Sequence, residues 1–151
     1  LAKHNGPVGM VPWALAEPTV EASEIFCRQG QADYLTRTAL PMLMFLKDGG
    51  QYVGGHGLHH LDWSVPKAEM GYWCRKRWHG QGLVTEAARA VAELALHTLG
   101  MRRLVCHSDA ENLPSRRVAE RSGFVLEGVM RHERFDPDGT PRDTCLYARV
   151  R

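Results

Sequence analysis

Arg77, Gly80 and Gly82 lie in the stretch RKRWHGQGLVTEAARA, Arg75 to Ala90, where a glycine-bearing loop runs straight into a string of good helix formers. Glycine is a poor helix residue, so two of them at a helix doorstep need a reason. The start of a helix presents unpaired N–H groups and a partial positive charge. Glycine lets that backbone approach a ligand with no Cβ in between. Arg75, Lys76, Arg77 and His79 add positive charge at the same place. The combination suits an anion, above all a phosphate. Local chemistry alone does not separate such a site from a ligand-free strand-to-helix turn. Two nucleotide motifs fail on inspection. The P-loop string G-x-x-x-x-G-K-[ST] does not occur, and Thr85 stands where G-x-G-x-x-G needs its third glycine.

The bulk numbers frame that loop. A chain of 151 residues suits one domain with a real core. A 44% apolar and 24% charged composition is ordinary for a globular protein. The formal charge of +2 gives no strong field for nucleic acid or membrane, so neither partner is expected. Cys27, Cys74, Cys106 and Cys145 are isolated, with no C-x-x-C pair. That argues against a zinc site or a disulfide framework, and the expectation is no metal, reduced thiols and a cytoplasmic location. No stretch approaches a transmembrane span or a secretory signal. The chain starts at Leu1 rather than Met, which admits further residues upstream.

The elements that must position the loop follow from periodicity. Residues 1–17 carry Gly and Pro and read as irregular. PTVEASEIFCRQGQADY reads as a helix with Pro18 in its first turn and Gly30 weakening its C-terminal half. A hairpin follows, with its turn at Asp48-Gly49-Gly50, and Gly54, Gly55 and Gly57 point to a bulge or a close approach. In the next strand Met70, Tyr72 and Cys74 alternate with Glu69, Gly71, Trp73 and Arg75. The helix from about Gly82 to Leu99 carries a stripe of Val84, Ala87, Ala88, Val91, Leu94, Ala95 and Leu99, with Gly100 as its stop. MRRLVCHS reads as a short buried strand. ENLPSRRVAERSG reads as a helix capped by Asn112 and stopped at Gly123. Two more strands surround a turn at Pro137-Asp138-Gly139. The order is that of a mixed α/β layered domain.

The string R-x-x-G-x-G at Arg77, Gly80 and Gly82 resembles the pyrophosphate loop of the GNAT N-acetyltransferases, [Q/R]-x-x-G-x-[G/A] between a strand and a helix. NLPSRRVAERSGF, Asn112 to Phe124, resembles the second helix motif of that family, at the right separation. AEMGYW at 68–73, LEGVMR at 126–131, and Asp143 with Tyr147 are similar to the RimJ/RimL branch, which acetylates protein N-terminal amines. The resemblance covers roughly residues 40 to 150. It implies one GNAT domain over 1–151, whose usual first strand is not recognisable in residues 1–17. The implied fold is a mixed, mostly antiparallel central sheet flanked by helices, with splayed strands forming the acetyl-CoA cleft.

The resemblance also implies a chemistry. Acetyl-CoA would give its acetyl group to an amine acceptor by direct attack in a ternary complex. The acceptor would be a protein N-terminal amine, with a polyamine or aminoglycoside as the alternative. A non-catalytic acyl-CoA-binding module is a third reading, and a homodimer is an admissible assembly. The strand 67–75 would part from 102–108, and the pantetheine arm would pair with backbone from Tyr72 to Arg75. The backbone of Arg77, Trp78, His79, Gly80, Gln81 and Gly82 would bind the pyrophosphate. The Trp73–Cys74 region would offer an N–H to the thioester oxygen, and Asn112 would hydrogen-bond the arm. Arg75, Lys76 and Arg117 are charge candidates for the phosphates. Glu69, Glu133 and His132 are candidate bases, with Arg134 taking the place of Glu133 if the register slips by one. His59 and His60, adjacent in a strand, are expected on opposite faces. Ala119 stands where many relatives carry a tyrosine acid, which leaves Ser115 as the donor to the leaving sulfur. All four cysteines are expected in the core.

Overall fold

A computed structural model describes residues 19–136 and 138–151. The readings for residues 1–17, Pro18 and Pro137 lie outside the described residues. The first described element is helix α1, Val20–Thr36. Its N-cap is Thr19, whose hydroxyl accepts from the Ala22 N–H at 3.1 Å. The helix runs through Gly30 without a break and ends on Arg37, in the left-handed region at φ 60°.

Strands β1 (Leu40–Phe45), β2 (Tyr52–Asp62) and β3 (Lys67–Cys74) form an antiparallel meander. A short 3-10 turn, Lys76–Trp78, leads to helix α2, Leu83–Glu93. The helix continues as a π-helical segment over Leu94–Thr98. Strand β4 (Arg103–Asp109), helix α3 (Leu113–Arg121) and strands β5 (Val125–Phe135) and β6 (Pro141–Val150) complete the chain. The sheet order is β1-β2-β3-β4-β6-β5, and β3–β4 is its parallel pair. Six strands in a mostly antiparallel sheet with flanking helices match the expected class.

The core lies between the sheet and the helices α2 and α3. Leu58, Met70, Leu104, Cys106 and Tyr147 from the sheet meet Ala88, Ala92, Leu96 and Ala119 from the helices. Small residues on α2 let it sit close to the strands. The apolar stripe differs from expectation in two ways, the first being that Ala92 is buried as well. Leu94 is exposed, and Leu96 is buried in its place, because the wider π turn rotates residues 94–98 relative to the turns before them. Gly100, at φ 74°, ends the helix as expected. Of the cysteines, Cys74, Cys106 and Cys145 are buried and Cys27 is exposed on α1. Cys27 is therefore not a core residue: α1 has no buried residue among its seventeen.

The ladder between β3 and β4 positions the site. It has three pairs, Lys67↔Arg103, Ala68↔Leu104 and Glu69↔Val105, and then stops. Beyond it β3 stays with β2 as far as Cys74↔Gly54, and β4 stays with β6 as far as Asp109↔Thr144. Each strand keeps its outer partner, so the two diverge and leave a wedge between them.

Candidate active site

The wedge has the glycine loop at its open end. Cys74 ends β3, and the loop Arg75–Gly82 turns at once into α2. Gly80 and Gly82 take φ values of 74° and 79°, which side chains with a Cβ rarely adopt. Open space surrounds both, with no atom within 4 Å of where a Cβ would stand. Packing therefore does not require glycine there, and backbone conformation does. Gly82 is the N-cap of α2, and no side chain caps that helix. Among the described residues, the N–H groups of Gly80, Gln81 and Gly82 donate to no backbone carbonyl. Three successive free donors at a helix start form a ready anion cradle.

The rest of the loop is braced. The Trp78 indole N–H donates to the Tyr52 carbonyl at 3.2 Å, and the His79 Nε2 donates to the Cys74 carbonyl at 3.0 Å. The Gln81 amide donates to the Arg77 carbonyl at 3.2 Å. Arg75 stacks over Tyr52 at 4.8 Å and Arg77 over Trp78 at 5.1 Å. Both guanidiniums are thus held beside the loop.

The two walls of the wedge are tied by one side chain. The Tyr72 hydroxyl donates to the Ser115 carbonyl at 2.8 Å, and the Cys106 thiol lies 3.6 Å from the same hydroxyl. Burial, followed by the neighbouring Cys106, pushes the Tyr72 phenol far up, so it stays protonated and can only act here as donor or acceptor. Ser115 sits in the first turn of α3, where its N–H donates to the Asn112 side chain at 3.2 Å. Asn112 is the N-cap, as its sequence context indicates.

Glu69 stands at the neck, in the last β3–β4 pair. Its carboxylate meets two imidazoles: His107 Nδ1 of β4 at 3.0 Å and His60 Nδ1 of β2 at 3.1 Å. Burial pushes the Glu69 carboxyl up, but the hydrogen bonds and charges of His107 and His60 outweigh it and hold it below the ordinary glutamate value. His59 and His60 do not fall on opposite faces of Glu69's surroundings. The β2–β3 register shifts between His59 and Asp62, and His60 takes φ 49°. That bulge breaks the alternation and turns His60 back towards Glu69, while His59 remains the direct cross-strand partner of Glu69.

The other candidates lie elsewhere. Glu133 is exposed on β5, the sheet edge, with β6 between it and β4. His132 sits in the irregular part of that strand at φ 52°. Arg134 is the inward-facing neighbour, with Nε donating to the Thr144 hydroxyl at 3.1 Å. The Cys74 thiol is raised by burial, and burial pushes Cys106 up to about 11, so neither is a ready nucleophile. Sequence reasoning missed His107 and Asp109. Asp109 is buried at the end of β4, where Arg142 grips it through Nε at 3.1 Å and Nη2 at 2.8 Å. It also accepts from the Glu111 N–H at 2.8 Å, which shapes the turn into α3. No local pattern marks either residue, because both depend on strand register.

A family model described as an acetyltransferase (GNAT) domain matches residues 4–125. The ribosomal-protein-serine acetyltransferase of Escherichia coli (strain K12) is 30% identical over 122 residues, which is 81% of this chain and 67% of that protein. The YdaF protein of Bacillus subtilis (strain 168) is 39% identical over 99 residues, 66% of this chain and 54% of that protein. The match thus spans between about half and two thirds of these relatives. A solved structure of RimL, a ribosomal L7/L12 α-N-protein acetyltransferase in complex with coenzyme A, superposes with a TM-score of 0.85. It covers 93% of this chain and 77% of that one at 23% identity, which is a likeness of fold.

Proposed function

Since this chain belongs to the GNAT acetyltransferase family, we propose that it transfers the acetyl group of acetyl-CoA to the N-terminal amine of a protein by direct attack. One observation carries this reading. The parallel ladder stops after Glu69↔Val105, and the strand so released runs straight into three free N–H donors at the start of α2. A ligand with a polar chain and a pyrophosphate end fits that sequence of features: its chain along Tyr72–Arg75 and its phosphates on Arg77–Gly82. The donors needed are those present, with Arg75 and Arg77 supplying charge.

Acetyl-CoA brings the activated thioester. The chain has three tasks. The Trp73–Cys74 backbone polarises the thioester carbonyl, as preorganised N–H donors do for a developing oxyanion. Ser115, fixed by the Asn112 cap and the Tyr72 hydroxyl, donates to the departing sulfur. The cluster centred on Glu69 accepts the proton of the amine. Glu133, on the far edge strand, is left to contacts with the acceptor protein.

The neck also favours a singly charged acceptor over a polyamine. Around Glu69 the neighbouring ionisable side chains are three histidines and Cys106; the Asp33 carboxylate, near His59, already accepts from the Gln29 amide, and Asp109 is taken by Arg142. A polyamine needs several free carboxylates. The relative named a ribosomal-protein-serine acetyltransferase supports the same choice.

The test is a melting curve with acetyl-CoA, followed by CoA release with a peptide bearing a free N-terminal serine and with spermidine. At one hundred times Kd, ligand linkage is worth about 2.7 kcal/mol, which raises Tm by roughly 5–10 °C. Turnover of the peptide above spermidine is expected. Preference for spermidine overturns the acceptor, and a flat melting temperature at millimolar acetyl-CoA overturns the activity.

A further inference from the structure

We propose that the group receiving the amine's proton is the His107 imidazole, and that Glu69 is a positioning residue that fixes its tautomer. This rests on the acetyltransferase reading above. An ionised carboxylate has no hydrogen to give, so a 3.0 Å approach of His107 Nδ1 to Glu69 Oε1 places the hydrogen on Nδ1. In the neutral ring the lone pair is then on Nε2, which has no hydrogen-bond partner among the described residues. Glu69 itself is a weak acceptor. Each of its oxygens already faces an imidazole, and its affinity for a proton is reduced by them. An imidazole is the side chain suited to proton transfer near neutrality. The arrangement is that of a base held by a carboxylate through its far nitrogen.

Geometry selects His107 over His60. His107 stands on β4, two residues past the last β3–β4 pair, on a wall of the wedge. Its side chain is 35% exposed, whereas that of His60, on the β2 bulge, is 83% exposed. The titratable and charged groups around the His107–Glu69 pair are His60 and His59 of β2, Asp33 of α1 beside His59, Cys106 of β4, and Asp109 two residues along β4, whose carboxylate is held by Arg142 and Arg134. From β6 the cross-strand partner is Leu146.

The step balances as follows. The acceptor ammonium gives one proton to His107 Nε2. The neutral amine attacks the thioester carbon, forming the N–C bond. The C–S bond breaks with its electron pair on sulfur, and the second amine proton ends there to give the thiol. The imidazolium then releases its proton to water.

Two measurements test this. Long-range 1H–15N NMR of the protein without ligand is expected to show neutral His107 with hydrogen on Nδ1, and Glu69→Gln to move the tautomer population towards hydrogen on Nε2. Hydrogen on Nε2, or no change in Glu69→Gln, overturns the pairing. In the second, kcat/KM is followed against pH with whichever acceptor the wild type turns over. His107→Gln is expected to lower kcat by about 10²–10⁴-fold, remove the acidic limb and keep the acetyl-CoA-induced rise in Tm. Glu69→Gln is expected to keep that limb and to lose less rate than His107→Gln. A retained limb in His107→Gln, or loss of turnover confined to Glu69→Gln, overturns the assignment. If the wild type turns over no amine, the acetyltransferase reading fails, and the NMR result alone still decides whether the pair exists.

Discussion

Alanine at Gly54 should damage the protein more than alanine at any other glycine of the sheet. A Cβ built there stands 2.2 Å from the Trp73 carbonyl oxygen and 2.8 Å from the Cys74 Cα. Both atoms are backbone of β3, where Cys74 is the ladder partner of Gly54 and Trp73 that of Gly55. Restoring ordinary contact distance means separating the strands by about 1 Å, and neither side can rotate away. Overpacking of this kind costs about 1–3 kcal/mol, and a clash with fixed backbone falls at the upper end. Gly55 offers a graded comparison. Its Cβ would meet the Trp73 indole nitrogen at 2.3 Å, but that ring is a side chain and can move. Gly128 is the reference, with nothing within 4 Å of its Cβ position and no positive φ. Alanine there restricts the unfolded chain and is worth about 0.4–1 kcal/mol of added stability. The Gly54→Ala and Gly128→Ala proteins should therefore differ by about 3–4 kcal/mol, or roughly 6–16 °C in Tm. Urea denaturation with equal m-values is the assay, and Gly55→Ala should fall between the two. Because the displaced strand is a wall of the wedge, Gly54→Ala should also show a smaller stabilisation by acetyl-CoA. Equal stability of Gly54→Ala and Gly128→Ala would refute the reasoning.

Two further outcomes follow from the same structure. His56 is buried, neither ring nitrogen has a partner among the described residues, and burial followed by the charge of His59 lowers its pKa to about 4. The unfolded chain therefore binds more protons between pH 6.5 and 4, and stability should fall as pH drops through that window, by about 2 kcal/mol from pH 7 to pH 5. Urea melts of wild type and His56→Phe at both pH values check this, and an equal loss in the two proteins contradicts it. Gly82→Ala should cost about 1–2 kcal/mol through its left-handed φ of 79°, and isothermal titration should show weaker acetyl-CoA binding, with Gly82→Asn milder because asparagine tolerates that conformation. Unchanged affinity in Gly82→Ala would remove the loop from the site.

What the sequence disclosed and what it withheld divide along a physical line. The glycine loop, the Asn112 cap and the alternation along β3 are local, so their residues announce them within a few positions. The His60–Glu69–His107 cluster is not local. It depends on the parallel register that sets Glu69 beside Val105, and on a bulge that cancels the alternation at His59 and His60. The π turn that exchanged Leu94 for Leu96, and the exposure of Cys27 on α1, escaped for the same reason. Each is set by what packs nearby in space. Gly30 was overrated as a breaker because a Pro41 side chain sits 2.9 Å from where its Cβ would be, so the helix needs glycine there for packing rather than for a bend.

The wedge itself follows from pairing on the outer edges. Backbone groups inside a protein must find partners. Through Cys74, β3 satisfies one edge on β2, and β4 satisfies one edge on β6 through Asp109. The inner edges beyond Glu69 and Val105 have no strand facing them. A strand cannot be supplied from within, because α2 and α3 carry the chain away on one face of the sheet. Closing the wedge would strip β3 from Gly54–His56 or β4 from Thr144–Leu146, exchanging formed ladder bonds for new ones with no net gain. The opening is thus a minimum that the ladders on both sides enforce. Its inner edges are matched by water or by a ligand that carries its own amides, and the amides of a pantetheine chain are groups of that kind. The preference of the wedge for an extended amide chain thus comes from backbone, and in the proposed function it is the pyrophosphate end that meets a particular loop, Gly80–Gly82, while Glu69–His107 faces the acceptor amine.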